Sequence, residues 1–211
     1  MHLVIFVLYF TAWAGVHSLL ASHTVKRWVR SKWGADTDRW YRFAYSAFAV
    51  LSMLPMFAML LVFPDQTLYR VPAPWRWLMM AGQALALIGM ALTILQTGAL
   101  QFLGISQLLA GQPRGSGLLQ VHGFYCYVRH PLYLFGLIAI WLMPTMTLNL
   151  AVAFSLVTLY LVIGSFHEER LLLEEFGEVY RDYQRQVPRL IPRPRRCYAN
   201  TGRPTPSTNK R

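Results

Sequence analysis

Five long apolar stretches constrain the fold of this chain more than any other feature. Two of them, HLVIFVLYFTAWAGVHSLLA and FAYSAFAVLSMLPMFAMLLVF, offer no polar face to water. About 20 apolar residues in a helix span the hydrocarbon core of a bilayer, whereas a surface helix of a soluble domain keeps a polar face. The chain of 211 residues is 55% hydrophobic and 14% charged. The sequence therefore predicts an all-α fold, a polytopic membrane helix bundle with five transmembrane helices and a cytoplasmic C-terminal helix.

The predicted spans cover about residues 2–22, 41–63, 75–96, 132–148 and 149–166. Residues 98–111, GALQFLGISQLLAG, are amphipathic and are expected to lie in the membrane interface. The C-terminal helix begins at His167, where apolar residues recur at helical spacing between charged ones. Residues 1–192 thus form one integral membrane domain. Residues 193–211 are rich in arginine, proline, serine and threonine, and are predicted to be a disordered basic tail.

The distribution of basic residues predicts the orientation. The loop after the first span has a clear excess of cations, with Lys26, Arg27, Arg30, Lys32, Arg39 and Arg42 against Asp36 and Asp38. Loops of this kind are typically cytoplasmic, which places the N-terminus outside and the C-terminus in the cytoplasm. The net charge of +11 is spread over such loops and the tail without a nucleic-acid motif. We therefore expect a membrane and no nucleic acid as partner, and free thiols at Cys126 and Cys197, because both face a reducing compartment.

Two polar clusters frame the last predicted hairpin. The segment HGFYCYVRHPLY, residues 122–133, enters the fourth span, and Glu168 and Glu169 follow the fifth directly. Each has an ordinary explanation, since arginine near a helix end can reach headgroups and acidic residues are common in a first helical turn. However, an unpaired carboxylate near the bilayer is costly, and the topology places both clusters at one membrane surface. A pairing of Arg129 with Glu168 or Glu169 is therefore our hypothesis.

Three histidines on or beside the first helix, His2, His17 and His23, raise the question of haem or metal. His17 and His23 do not share a helix face at i, i+4 spacing, and no cysteine or carboxylate accompanies them. We predict no metal site.

The two polar clusters carry a resemblance to a known family. The stretches GFYCYVRHPLYLFG and EERLLLEEFGEVYRDYQRQVPRLIP resemble the membrane methyltransferases related to isoprenylcysteine carboxyl methyltransferase and phospholipid N-methyltransferase. WAGVHSLLASHTVKRW is similar to bacterial members of the same broad group, including methanethiol S-methyltransferases and membrane proteins associated with nitric oxide reduction. The resemblance implies an integral membrane methyltransferase domain over residues 1–192 in a bacterial inner membrane.

The same resemblance implies S-adenosylmethionine as cofactor and assigns roles to nine residues. The cofactor would be lined by His122, Gly123, Tyr125, His130, Pro131 and Tyr133. Arg129 and Glu169, with Glu168 close by, would face or orient the methyl acceptor. That acceptor is expected to be a small or lipophilic molecule, and thiol, carboxylate and lipid amine remain open. Two other classes stay in view, a non-enzymatic subunit assisting a nitrogen-oxide or haem-linked oxidoreductase, and a small transporter.

Overall fold

The computed structural model describes residues 1–34, 37–98 and 119–193, and this part of the chain is mostly helical. Its helices are α1 (His2–Ala21), α2 (His23–Trp33), α3 (Thr37–Val62), α4 (Trp75–Thr97), α5 (Pro131–Trp141), α6 (Leu148–Phe176) and α7 (Glu178–Gln186). A short 3-10 helix, Gly123–Cys126, precedes α5, and two strands, β1 (Thr67–Arg70) and β2 (Thr145–Thr147), pair antiparallel. The predicted interfacial stretch from residue 99 onward and the tail from residue 194 lie outside the described residues.

Four of these helices are long and apolar enough to cross a membrane: α1, α3 from Phe43 onward, α4 and α6. They support an integral membrane protein, but the five predicted spans are not confirmed. The predicted fourth span, residues 132–148, contains α5, which has 11 residues and is therefore about 16 Å long. The helix ends because the chain after it becomes extended and β2 pairs with β1. Beside this pairing, the N–H of Val71 donates to the carbonyl of Pro144 at 2.9 Å.

The predicted boundary between the fifth span and a separate C-terminal helix is wrong. α6 continues through His167 as far as Phe176, and only then does Gly177 break the helix. Gly177 has a φ of +56°, in the left-handed region that favours glycine. α7 begins after this break, so the acidic pair belongs to the end of the long apolar helix rather than to the start of a new one.

Contacts at one end of the bundle fix the helix directions. Asn149 at the start of α6 donates through Nδ2 to the carbonyl of Pro64, just after α3, at 3.2 Å. The ring of His2 at the start of α1 lies 5.7 Å from the ring of Phe63. The C-terminal end of α6 therefore lies at the opposite end of the bundle, with the end of α1 and the start of α3.

A close approach between α4 and α5 brings the start of α5 to that same opposite end. Gly89 of α4 packs beneath the ring of Phe135, and a Cβ at Gly89 would lie 2.7 Å from that ring. Small residues allow helix backbones to approach in this way within membranes. The prediction that the segment at 122–133 and the acidic pair share one end of the bundle is confirmed.

Cys126 corrects another expectation, because it is disulfide-bonded rather than free. Cys197, the other cysteine of the sequence, lies outside the described residues. The inference of free thiols used only the expected compartment, and a disulfide depends on the distance between two cysteines in the fold, which sequence separation does not reveal.

Candidate functional site

A buried carboxylate lies at the centre of the site. Glu169 projects from α6 with 3% of its side chain exposed. It accepts hydrogen bonds from Arg129 Nε at 2.8 Å, Arg189 Nη2 at 2.7 Å and Nε at 3.0 Å, and Gln184 Nε2 at 3.0 Å, while His130 Nε2 lies 3.2 Å away. A buried charge is tolerated when it is paired and fully hydrogen-bonded, as here. The expected partnership of Arg129 with this acidic pair is therefore present, and it involves Glu169.

Arg129 also fastens the C-terminal helix to the bundle. Its Nη1 donates to the carbonyls of Gln184 and Val187, at 2.9 and 2.6 Å. Gln184 lies in the last turn of α7 and Val187 is its C-cap, so these carbonyls have no partner within the helix, and a cation is favourable at that end. The backbone N–H groups of Arg129 and His130 donate to the carbonyls of Pro188 and Arg189. One side chain thus joins α6, α7 and the segment before α5.

Beside this centre lies a cavity of about 260 Å³. It is called the donor cavity below, after the methyl donor that the family resemblance implies. It is lined by Thr93, Ile94, Thr97, Tyr125, Arg129, His130, Leu132, Tyr133 and Glu168. The hydroxyl of Tyr133 donates to Glu168 Oε2 at 3.0 Å, and its ring stacks on His130 with centroids 5.2 Å apart. The side chain of Glu168 is 49% exposed. The two adjacent glutamates therefore differ sharply, since one is enclosed and the other is accessible.

The imidazole of His130 lies between these two carboxylates. Its Nε2 faces Glu169, and its Nδ1 lies 3.5 Å from Glu168 Oε2. His130 itself is 6% exposed. The ring therefore links the enclosed carboxylate to the one that lines the donor cavity.

Tyr125 and Tyr183 remain neutral phenols near neutral pH, because the pKa of each is raised. Burial, together with the charge of Glu168, raises the pKa of Tyr125 to about 12. Burial also raises the pKa of Tyr183, whose hydroxyl donates to the carbonyl of Tyr125 at 2.5 Å. These residues therefore offer aromatic faces and hydrogen bonds rather than phenolate bases.

The structure places the nine predicted residues unequally. The donor cavity is lined by Arg129, Glu168, Tyr125, His130 and Tyr133. Glu169 lies behind His130, and Pro131 is buried as the first residue of α5. His122 is exposed and, like Gly123, does not line the cavity. The geometry brings five of the nine to one cavity, places Glu169, Pro131 and Gly123 in supporting positions, and leaves His122 exposed outside it.

Gly123 supports the site through its backbone. Its φ is +64°, and a Cβ there would lie 2.5 Å from Oε1 of Gln96, near the end of α4. The next N–H, of Phe124, points to the same Gln96 oxygen at 3.4 Å. Glycine therefore lets the 3-10 helix lie against α4, which positions Tyr125 at the cavity.

Several residues of the site were not predicted. Gln184 and Arg189 bind the central carboxylate, although Arg189 lies in the VPRLIP stretch noted above. Thr93 and Thr97 line the donor cavity from α4. Two threonines at i, i+4 in an otherwise apolar helix share one face, which is a signal that could have identified them.

His17 lies apart from this cavity, between α1 and α3. Its Nε2 is 2.6 Å from the hydroxyl of Tyr45, and its ring stacks on Trp13 at 4.9 Å. Among the residues that the structure describes, no three histidine, cysteine or acidic side chains converge on a metal position.

Comparison with known proteins shows the family to which the chain is similar. The family described as "Protein of unknown function (DUF1295)" matches residues 3–187. The chain is 32% identical to a methanethiol S-methyltransferase of a Pseudomonas species over 87% of its own length and 70% of that protein. It is 31% identical to the methanethiol S-methyltransferase of Pseudomonas deceptionensis, over 92% of this chain and 74% of the relative.

A more distant similarity links the chain to a eukaryotic enzyme. It is 34% identical to the protein-S-isoprenylcysteine O-methyltransferase of Schizosaccharomyces pombe, over 50% of this chain and 53% of that protein. No solved structure gives a significant match. The resemblance to a superfamily of membrane methyltransferases is confirmed.

Proposed function

Because the chain belongs to the DUF1295 family and its relatives include methanethiol S-methyltransferases, we propose that it is an S-adenosylmethionine-dependent methyltransferase acting on a small thiol. The observation that carries the proposal is the accessible carboxylate of Glu168, hydrogen-bonded to Tyr133 in a cavity with a second tyrosine, Tyr125. Residues 1–192 would form the methyltransferase domain.

The chemistry of the donor cavity fits a sulfonium compound. A cation is stabilised by a nearby carboxylate and by aromatic faces, and the cavity has Glu168 for the first and Tyr125 and Tyr133 for the second. Thr93 and Thr97 add hydroxyl groups that can bind polar parts of a nucleoside. These side chains would hold the donor, with Gly123, His130 and Pro131 shaping the cavity from behind. When bound, S-adenosylmethionine supplies an electrophilic methyl group.

Glu168 and Glu169 would have different roles. Both carboxylate oxygens of Glu169 accept hydrogen bonds, and the side chain is nearly enclosed. We therefore assign to Glu169 the positioning of His130 and Arg129. Glu168 faces the cavity and would attract the positive charge of the donor. Displacement at a methyl carbon needs the two reactants held in line at near-contact distance, and little other covalent assistance. This division accounts for one rigid and one accessible carboxylate in adjacent positions.

Arg129 would act on the acceptor. It lines the donor cavity, and a nearby guanidinium favours the thiolate over the thiol. A thiolate already carries the electron pair that attacks the methyl carbon, so no general base is required once the proton has left to water. An amine acceptor would instead need a base at this position. The preference for a thiol therefore rests on the charge of Arg129 together with the names of the relatives.

The setting proposed for this reaction is the cytoplasmic face of a bacterial inner membrane. Basic residues of α2 follow α1 at the end of the bundle that holds the site: Lys26, Arg27, Arg30 and Lys32. The loop at the other end carries far fewer cations. By the positive-inside rule the site would face the cytoplasm, with the N-terminus outside and α7 in the cytoplasm. The disulfide of Cys126 would then be one of the rare disulfides of a reducing compartment.

A labelled-methyl assay tests the proposal. The purified protein is incubated with S-adenosylmethionine that carries a deuterated methyl group. Each reaction contains one acceptor: methanethiol, an isoprenylated cysteine or phosphatidylethanolamine. We expect label in dimethyl sulfide, much less with Glu168→Gln, and no loss with Glu174→Gln, an exposed glutamate further along α6. Label appearing only in the ester or the amine would contradict the thiol assignment, and no labelled product from any acceptor would contradict the enzyme.

A further inference from the structure

A second cavity, distinct in chemistry from the first, lies on the other side of Arg129. It has a volume of about 240 Å³ and is called the arginine cleft below. It is lined by Arg129, Gln184, Arg185, Gln186, Val187, Pro188, Arg189 and Arg193. Four of these eight residues are arginines, and no described residue that lines the cleft is acidic. The donor cavity, by contrast, includes Glu168.

The arginines of the cleft outnumber the carboxylates that pair with them. Glu169 is hydrogen-bonded to Arg129 and Arg189, so one carboxylate serves two guanidinium groups. Arg185 and Arg193 are exposed, and neither forms an ion pair with a described residue. The nearest acidic group on α7 in sequence, Asp182, accepts a hydrogen bond from Gln186. The cleft therefore retains a net positive charge that an anion would neutralise.

The arginine cleft also lies where the apolar span of α6 ends. The guanidinium carbon of Arg189 is 3.5 Å from the ring centroid of Phe166, which is 58% exposed and immediately precedes the polar stretch starting at His167. Ile191, next to the cleft, is 80% exposed. Arginine side chains near the ends of membrane helices reach the headgroup region, and exposed apolar groups beside them can contact lipid chains.

We propose that the arginine cleft binds a phosphate group, and that an anionic phospholipid headgroup supplies it. Guanidinium groups bind phosphate oxygens through paired N–H donors, which is the geometry that several converging arginines provide. The ligand would hold α7 and residues 187–193 against the membrane surface. Arg129 lines both cavities, so the lipid site and the donor cavity share one side chain.

Native mass spectrometry of the full chain in detergent tests the proposal, with phosphatidylglycerol compared with phosphatidylcholine. Arg185→Gln combined with Arg193→Gln should weaken phosphatidylglycerol binding roughly 30-fold, at about 1 kcal/mol for each basic group near a membrane surface. The matched control, Arg70→Gln with Arg76→Gln, removes two exposed arginines at the other end of the bundle and should bind as the wild type does. Arg185→Lys with Arg193→Lys keeps the charge and should retain most of the binding.

Inorganic phosphate and S-adenosylhomocysteine distinguish the possible anions. Stabilisation of the wild type by inorganic phosphate, lost in the glutamine pair, would support a phosphate site, and without phosphatidylglycerol binding it would identify free phosphate as the source. Equal phosphatidylglycerol binding by the wild type and the glutamine pair would overturn the proposal. Competition between S-adenosylhomocysteine and phosphatidylglycerol would also overturn it, because the arginine cleft would then belong to the donor site.

Discussion

Arg129 and Glu169 are 40 positions apart in the sequence and are joined by a hydrogen bond of 2.8 Å between Nε and Oε1. The bond connects the segment before α5 to the polar end of α6. The same guanidinium holds the last carbonyls of α7. The segment before α5, the end of α6 and the end of α7 therefore meet at one buried ion pair, and the donor cavity lies beside it.

Glu169→Gln should destabilise the protein severely. It removes a charge that two arginines share in a buried position, and breaking a buried pair costs about 3–5 kcal/mol. Glu168→Gln alters an accessible carboxylate and should leave the thermal unfolding temperature nearly unchanged. Thermal unfolding in detergent compares the two variants, and an equally stable Glu169→Gln protein would remove the positioning role given to this residue.

Tyr133→Phe should weaken donor binding without unfolding the protein. The substitution keeps the ring that stacks on His130 and removes the hydroxyl that donates to Glu168. This hydrogen bond holds the Glu168 carboxylate at the cavity, and a bond to a charged group contributes about 1.5–3 kcal/mol, so the loss in affinity should reach at most roughly 150-fold. Tyr127→Phe is the matched control, because Tyr127 is 50% exposed and does not line the donor cavity. Identical effects of the two substitutions on S-adenosylmethionine affinity would contradict the assignment.

Gly89→Ala should destabilise the packing of α4 against α5. The added Cβ would overlap the ring of Phe135, and overpacking typically costs about 1–3 kcal/mol. Gly136→Ala serves as control, since nothing lies within 4 Å of a Cβ at Gly136. Unfolding in a detergent or denaturant titration measures both, and a Gly89→Ala protein as stable as the control would show that α5 does not approach α4 this closely.

The contribution of Asp65 to stability should depend on pH. Burial alone would raise the pKa of this carboxyl, but hydrogen bonds from Thr147 and from the N–H groups of Asn149 and Gln66 outweigh it and lower the pKa. A lowered folded-state pKa contributes stability above the unfolded value, about 3.9, and that stability is lost as pH falls through the folded value. Asp65→Asn should therefore be less stable than the wild type at pH 7, with the difference shrinking below about pH 4. A difference in unfolding temperature that stays constant down to pH 3 would contradict this.

Local sequence predicted the elements whose length is set by hydrophobicity alone. α1, α3 and α4 begin and end within a few residues of the predicted spans, because a run of apolar side chains is itself the cause of a membrane helix. The shortness of α5 depends instead on β2 pairing with β1, about 75 residues earlier. No local pattern contains that contact, so the fourth span was predicted too long.

The site was predictable where it lies in one motif and not where it is assembled from separate segments. Arg129, His130 and Tyr133 stand together before and within α5, and the acidic pair comes just after an apolar run. The different environments of Glu168 and Glu169 come from the side chains packed around them, chiefly Arg189 and Gln184. Adjacent glutamates look equivalent in a sequence, and only the fold distinguishes them.

Titration of the purified protein with S-adenosylmethionine, followed by calorimetry in detergent, tests the central claim most directly. The account predicts saturable binding at one site, weakened by Glu168→Gln and unaffected by Glu174→Gln. The absence of binding to the wild type would contradict the methyltransferase proposal itself. Binding that Glu168→Gln leaves unchanged would place the donor outside the cavity beside Tyr133.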